Sequence, residues 1–565
     1  MGAGRSGSVV LALVLALAQA VLLASIAWDK SDTADESQYL AAAATLWANG
    51  DVSYLCGAPA LPRWGTALAL AAVDGAAVAA TPRAEPIRYV TAPRAPERLR
   101  AVLFAARVPT MLVVVLGGLL LWSAARRFGA RAAFVTQALW CLSPTVLANG
   151  SLAALDAWLA AAMCAVVWSW QREYERPTVA HAVVVGAACA AAATCKMTGL
   201  GVLPLAVYVM LGRAWRAGRW RLLASASLAF AIGVWAVYGF SVGTVHVDTP
   251  CNAAPLGLSI GPLPAPAWIE GMVFQLHHRV VGHLGYLAGH VGHDGWWWFY
   301  LACLAFKVTI GAQLLALLAA AAVAWRRPGP ARAMGFWLVY PLALVLALSA
   351  GAHQGGIAFL LPAFPFAMLW CGIMTGELTR SRLGAAAVLA CLVLGAVEVL
   401  AVHPDELMFF NRWAGGPSDG PRWLVHRDDW GQDDRNLAEW QRAHGVARLF
   451  FASYGSNAAR WGVVGDPVPC EPTAGVYALH AVEVHRPQFS LAPGCIDWLT
   501  VEPPDARIGY SIYLYTVDAA RLARLRAERA TATPFWRSGP PFKSDPKDDP
   551  KTDPKTDVAF PPGVE

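Results

Sequence analysis

Apolar runs long enough to cross a bilayer recur along the first 400 residues, separated by short stretches that carry arginine. A hydrocarbon core about 30 Å thick needs about 20 apolar residues in helical form. The pattern therefore predicts crossings at 8–28, 101–122, 132–148, 152–170, 179–195, 198–212, 222–240, 296–324, 333–350, 356–375 and 383–401. That is a polytopic α-helical membrane protein with about 11 transmembrane helices. The first run, VVLALVLALAQAVLLASIAW, follows a short segment containing Arg5. It is long for the apolar part of a signal peptide and is followed at once by SDTADESQYL, which predicts an uncleaved first helix.

The basic stretches alternate along this pattern: Arg126, Arg127 and Arg131, then Arg172 and Arg176, then Arg213, Arg216, Arg219 and Arg221, then Arg326, Arg327 and Arg332, then Arg380 and Arg382. Positive loops stay in the cytoplasm, so these and the N-terminus are expected there, and the C-terminal part outside. The 29–100 loop also holds arginines, but long loops translocate largely regardless of charge.

Two outer loops, 29–100 and 241–295, are too long to be simple connectors, and long ordered loops carry or cover function. ESQYLAAAATLWANG has helical spacing and predicts a helix along the membrane surface. HHRVVGHLGYLAGHVGHDGWWWFYL leads a series of histidines into Trp296, Trp297 and Trp298, which fit an interfacial aromatic belt.

After residue 402 the pattern changes. GVARLFFASYG and SIYLYTV read as strands, and DDRNLAEWQRAHG reads as a capped amphipathic helix ending at Gly445. The expected organisation is a membrane domain over 1–402, a small extracytoplasmic α/β domain over 403–535, and a tail over 536–565. The tail, with its repeated Asp-Pro-Lys, can bury too little to offset chain entropy and should be disordered.

With 57% hydrophobic and 15% charged residues, the chain is too apolar for a water-soluble domain of its length. The net charge of +6 comes from dispersed arginines rather than one basic face, so no nucleic-acid partner is expected. Most of the 11 cysteines lie in apolar runs and read as small hydrophobes. Cys470 with Cys495, and Cys56 with Cys251, lie in segments predicted to be outside, where disulfides form, though spacing alone does not set the pairing.

Under this topology the polar groups near the membrane share one side. Asp32, Asp35 and Glu36 follow the first helix, Asp156 begins the fourth, Lys196 lies in ATCKMTG, Lys307 in AFKVTIG, and His353 with Gln354 in AGAHQGG. A charge within the bilayer costs about 2.5–3.5 kcal/mol on insertion scales, so Asp156 and Lys307 are expected to face protein or a wet cavity. Plainer readings stand beside this one. The first three acids also read as solvated loop charges, Asp156 as the ion-pair partner of an arginine such as Arg107, and the lysines as side chains snorkelling to headgroups. A divalent metal among the histidines stays open as an alternative, with no HExxH or comparable spacing to support it.

Taken together, ADESQYLAAAATLWANG, LSPTVLANGSLAALDAW, HLGYLAGHVGHDGWWWFYLACLAFK, HQGGIAFLLPAFPF and FFNRWAGGPSDGPRWLVHRDDWGQD resemble the motifs of a known family. It is the GT-C glycosyltransferases that use polyprenyl- or dolichyl-phosphate sugars, in the protein O-mannosyltransferase and lipid A aminoarabinose transferase group. The likeness runs over about residues 8–465. It implies a bacterial-type inner-membrane enzyme that moves a sugar, with inversion, from a polyprenyl-phosphate donor to an acceptor hydroxyl on a glycan, lipid or protein, at the outer face. Asp35 would be the general base, Asp156 a second active-site carboxylate, and Glu36 and Tyr39 would shape the loop. Lys196, Lys307, His353 and Arg279 would hold the donor phosphate. A sugar phosphate already has a good leaving group, so one base plus cationic stabilisation suffices, with no cofactor and no metal assigned. The wager is that these groups converge beneath a vestibule able to admit the lipid headgroup.

The sequence departs from the family at Ala358, where relatives carry Arg or His before an aromatic, and His353 or Arg279 would take that place. The family's Pro-Pro segment is also absent from the first loop, and His426 and Arg427 stand where acidic or small polar residues are usual. The alternatives are a multi-pass transporter, for which no repeated halves are visible, and a catalytically inactive GT-C-like scaffold.

Overall fold

The computed structural model describes residues 3–247, 258–281, 284–326, 335–425, 428–452, 458–486 and 491–528. The expected tail 536–565, Cys251, His426 and Arg427 lie outside them. In chain order the helices up to residue 400 are α1 (Ala3–Asp29), α2 (Ala34–Asn49), α3 (Ala60–Ala79), α4 (Ile87–Thr91), α5 (Pro96–Ala125), α6 (Ala130–Cys141), α7 (Pro144–Gly150), α8 (Leu155–Glu175), α9 (Val179–Cys195), α10 (Leu203–Ala217), α11 (Trp220–Val237), α12 (Pro266–Val281), α13 (Phe299–Lys307), α14 (Ile310–Arg326), α15 (Val339–Ser349), α16 (Phe364–Leu378) and α17 (Arg382–Leu400).

Among the described residues, six helices are long and apolar enough to cross a membrane: α1, α5, α10, α11, α16 and α17, some extended by a 3-10 turn. The number rises to eight if each of two bent pairs makes one span, α7 with α8 (117°) and α13 with α14 (110°). α9 and residues 336–349 are apolar but shorter. The polytopic helical class holds, while two expected crossings change shape. The run at 132–148 ends as a helix at Cys141 and restarts behind Ser143, and the run at 296–324 breaks after Lys307.

Buried helix breaks expose backbone groups that need partners. At 308–309 they have them. Asn411 Nδ2 donates to the carbonyls of Ala305 (2.6 Å) and Val308 (2.8 Å), and Gln313 Nε2 donates to those of Leu304, Ala305 and Val308. On the other side of the break, Glu398 Oε2 accepts from the N–H groups of Ile310 and Gly311.

Small residues let the helices approach closely, as expected where lipid supplies no hydrophobic drive between them. A Cβ on Gly186 of α9 would lie 2.1 Å from the Ala226 carbonyl oxygen of α11, and one on Gly372 of α16 would lie 2.1 Å from Thr136 Oγ1 of α6.

At one end of the bundle the two long loops and the C-terminal region pack together. α2, expected along the membrane surface, buries Leu40, Leu46 and Ala41 to Ala44 within the protein. Leu40, Ala41, Ala43 and Ala44 share a core with Leu99 and Val102 of α5 and with Leu437, Leu449 and Leu514 of the C-terminal region. The second loop forms a hairpin of β1 (Val242–His246) and β2 (Ser259–Pro264), then α12, then a hairpin of β3 (Gly285–Leu287) and β4 (His290–Gly292).

The C-terminal sheet comprises β5 (Leu449–Ala452), β6 (Gly465–Pro467), β7 (Gly475–His480), β8 (Ala506–Ile508) and β9 (Ile512–Val517), in the order β6-β5-β7-β9-β8. β5 runs parallel to β6 and β7, and β9 runs antiparallel to β7 and β8. Helix Asp434–Ala443 precedes the sheet, and Gly445 follows that helix at φ +63°, the left-handed stop expected there. A Cys470–Cys495 disulfide ties the region together. Cys56 is also disulfide-bonded.

Candidate active site

Thr33 caps α2 in a capping box: Glu36 Oε2 accepts from the Thr33 N–H at 2.9 Å. That turn separates the three carboxylates of SDTADESQYL. Glu36 is fully buried and forks with Arg107 of α5 (2.8 and 2.7 Å), while also accepting from the Ala153 N–H at 2.7 Å. Arg107 in turn donates to the carbonyls of Ala27, Lys30 and Ser31. Burial works against the Glu36 carboxylate, but Arg107 and two backbone N–H groups outweigh it and hold its pKa below the usual carboxylate value. Glu36 and Arg107 thus fix the path of the chain between α1 and α2.

Asp32 points to the C-terminal region, accepting from Trp461 Nε1 at 2.7 Å and Arg460 at 3.0 Å. Asp35 differs from both neighbours. It is half-buried and accepts from the Tyr39 hydroxyl at 3.3 Å, one helical turn on.

Tyr39 and Ala34 pack against Ala148, Leu152, Ala154, Leu407 and Trp430. Ala148 and Leu407 also line a small cavity with Lys307, Asp428 and residues 355–358. Lys307 is buried there, 2.6 Å from Asp428, with its ammonium 3.9 Å from the centre of the Phe410 ring and donating to the Leu407 carbonyl. The next residue along that turn, Phe359, receives a second ammonium: Lys196 lies 4.2 Å from its ring centre and pairs with buried Asp156 at 2.5 Å. His353 meets the same ring, at 5.3 Å between centroids. Asp156 is thus paired with Lys196 rather than with Arg107.

Lys196, paired with Asp156, and His353 thus meet Phe359, Lys307 lines the cavity with the preceding residues 355–358, and Tyr39, the partner of Asp35, packs on Ala148 and Leu407 of the cavity wall. Arg279 lies in α12, and its side chain is outside those described. Sequence reasoning did not single out Asp428, the counter-ion of Lys307, although it stands in the quoted HRDDWGQD. It also missed the aromatic seats of the two lysines, for which no local pattern exists. The cavity is about 20 Å³, room for one water rather than for a sugar. This cavity is smaller than the vestibule expected from the sequence.

A tight carboxylate group lies nearby: ligand oxygens of Asp29, Asp405 and Asp433 lie within 4.8 Å of one another. The Lys30 ammonium already serves it, 3.1 Å from Asp29, 2.8 Å from Asp433 and in contact with Asp405.

Residues 99–240 match the family described as dolichyl-phosphate-mannose-protein mannosyltransferase. The matched segment runs from within α5 to just past α11 and contains Arg107, Asp156 and Lys196. Similarity to membrane glycosyltransferases, expected from the motifs, is thereby found in that part of the chain. The chain is also similar to ArnT from Cupriavidus metallidurans bound to undecaprenyl phosphate, with 17% identity, TM-score 0.47, and coverage of 90% of this chain and 98% of that one. The apo form of the same protein gives 16% identity and the same TM-score of 0.47, covering 92% and 99%. A comparison with curated proteins finds no match.

Proposed function

We propose that the protein is a membrane glycosyltransferase that takes a sugar from a polyprenyl-phosphate donor and attaches it to an acceptor hydroxyl at the end of the bundle bearing α2 and the C-terminal sheet. The observation that carries this reading is the pair of ammonium groups, Lys196 and Lys307. They come from distant parts of the chain: Lys196 lies over the Phe359 ring, and Lys307 lines the same small cavity as the preceding residue, Ala358. Two cations at one place suit a phosphate that gains charge as it departs.

In this reading Asp35 removes the proton of the acceptor hydroxyl. The acceptor oxygen bonds to the sugar C1 as the C1–O bond to phosphate breaks, and the phosphate leaves with the electron pair. Attack opposite the leaving group inverts C1. Asp156 and Asp428 hold the lysines in place until the phosphate takes over as their counter-ion, and residues 353–359 must shift to admit the donor. Tyr39 holds the Asp35 carboxylate, and Arg279 or His353 supplies a further cation where Ala358 supplies none.

Sidedness follows from charge. α1 begins at the end where the arginines of the 126–131 and 380–382 loops lie, so the opposite end, with Asp35, is extracytoplasmic by the positive-inside rule. Residues 1–402 and 403–535 are then the membrane and extracytoplasmic domains.

The test compares wild type and Asp35→Asn in membranes supplied with a labelled polyprenyl-phosphate sugar. Loss of a general base typically lowers the rate about 10²- to 10⁴-fold. We expect a loss in that range without a fall in the thermal unfolding temperature. Undiminished transfer removes Asp35 from the role.

A further inference from the structure

At the opposite end of α1 from the carboxylates, a cavity of about 400 Å³ opens between α1, α6 and α17. Counting about 1.5 Å per residue from Ser8 to Asp29, it begins roughly 30 Å from the candidate site. Its body is apolar, built by side chains such as Leu15, Phe134 and Leu392. A methylene fills about as much space as a water's ~30 Å³ share of liquid, so the cavity holds on the order of a dozen methylenes.

Its mouth is basic. Arg131 lines it, exposed, with one N–H donated to the Thr379 carbonyl at 2.6 Å. Trp122 also lines it and carries the Arg126 guanidinium 4.8 Å from its ring centre, while Arg380 and Arg382 follow Thr379 on the surface. In the wall, fully buried Gln137 donates to the Ala12 carbonyl but leaves Oε1 without a hydrogen-bond partner among the described residues.

From this combination we infer that the cavity is a binding site for one anionic phospholipid of the leaflet at the arginine-rich end. An acyl chain enters between α1, α6 and α17, and the phosphate rests against Arg131 and Arg126. Charge complementarity of this kind, at the ends of membrane helices, is how basic interhelical pockets select anionic headgroups.

The test is native mass spectrometry of the full chain in mild detergent, titrated with phosphatidylglycerol or phosphatidylcholine. Wild type is expected to retain one phosphatidylglycerol in preference to phosphatidylcholine by roughly tenfold or more, at about fivefold per arginine. Arg126→Gln with Arg131→Gln should bring the two lipids level, and Ala385→Trp, filling the cavity from its half-buried rim, should remove the bound lipid altogether. Should the arginine double variant fail to fold, Ala385→Trp decides the matter alone. Equal retention of the two lipids by wild type, or full retention by Ala385→Trp, overturns the assignment.

Discussion

Three acids within five residues have three different fates. Asp32 holds Trp461 and Arg460, Glu36 holds Arg107, and Asp35 accepts from Tyr39. A helical turn explains part of the division, since Asp35 and Glu36 are successive residues and point about 100° apart on α2. The sequence showed the cluster and supplied a role for Asp35, but it offered Arg107 to Asp156 rather than to Glu36. The pairing has an energetic consequence. Removing one partner of a buried ion pair typically costs about 3–5 kcal/mol, because the other charge stays buried alone. Arg107→Ala should therefore lower the unfolding temperature strongly, whereas Asp35→Asn should leave it nearly unchanged. Thermal unfolding of both variants in detergent separates a structural acid from a functional one, and an Arg107→Ala protein as stable as wild type would falsify this assignment.

Among elements, the bent pair α13–α14 shows how a site is made from an apolar run. Residues 296–324 read as one crossing because hydropathy has no term for a break. The bend appears only where Asn411, Gln313 and Glu398 reach the freed carbonyl and N–H groups. Ending α13 at Lys307 sets that side chain against Asp428 and Phe410 instead of leaving it to snorkel towards headgroups. Asn411→Leu leaves two carbonyls with one fewer donor, at about 1–3 kcal/mol for buried groups. The expected outcome is a moderate loss of stability and a larger loss of transfer activity, since Lys307 rides on the break; an activity assay corrected for folded fraction checks it. The FFNRWAGGPSDG stretch was legible as a motif, yet the part its asparagine plays required the fold.

Over the whole molecule, the C-terminal region docks on residues 29–36 through buried charge. Lys30 bridges Asp29, Asp405 and Asp433, Arg435 reaches Asp29 at 3.1 Å, and Ser511 donates to Asp433. Burial, and the Asp433 and Asp29 charges beside it, raise the Asp405 pKa to about 6 against the pull of Lys30, because three carboxylates share one ammonium. A raised folded-state pKa gives stability that is complete below about 3.8 and lost as pH rises through about 6. The docking should therefore loosen between pH 5 and 7. His485 works the other way: burial lowers its pKa to about 3, so its contribution is present above 6.5 and fades as pH falls. Comparing wild type with Asp405→Asn cancels that second effect. Hydrogen exchange over 29–36 and 429–436 should speed up in wild type on going from pH 5 to 7, and the variant should show little pH dependence beyond intrinsic exchange. An unchanged wild-type response in Asp405→Asn would remove Asp405 as its source.

By itself the sequence determined the class of protein, the arginine-rich stretches, the positions of the two long loops, the α/β character after residue 402, and which acids and cations deserved attention. These are local properties, since hydropathy, turn residues and helix stops belong to the segments that carry them. Only the tertiary structure decided which charge meets which. Lys30 and Asp433 are 403 residues apart in sequence, and Lys196 meets Asp156 across 40. Partner choice among buried charges depends on which helices abut and where they bend, and an apolar run leaves both undetermined. The water-sized cavity belongs to the same level, because its volume is set by how residues 355–358 pack against α7, α13 and residues 406–409.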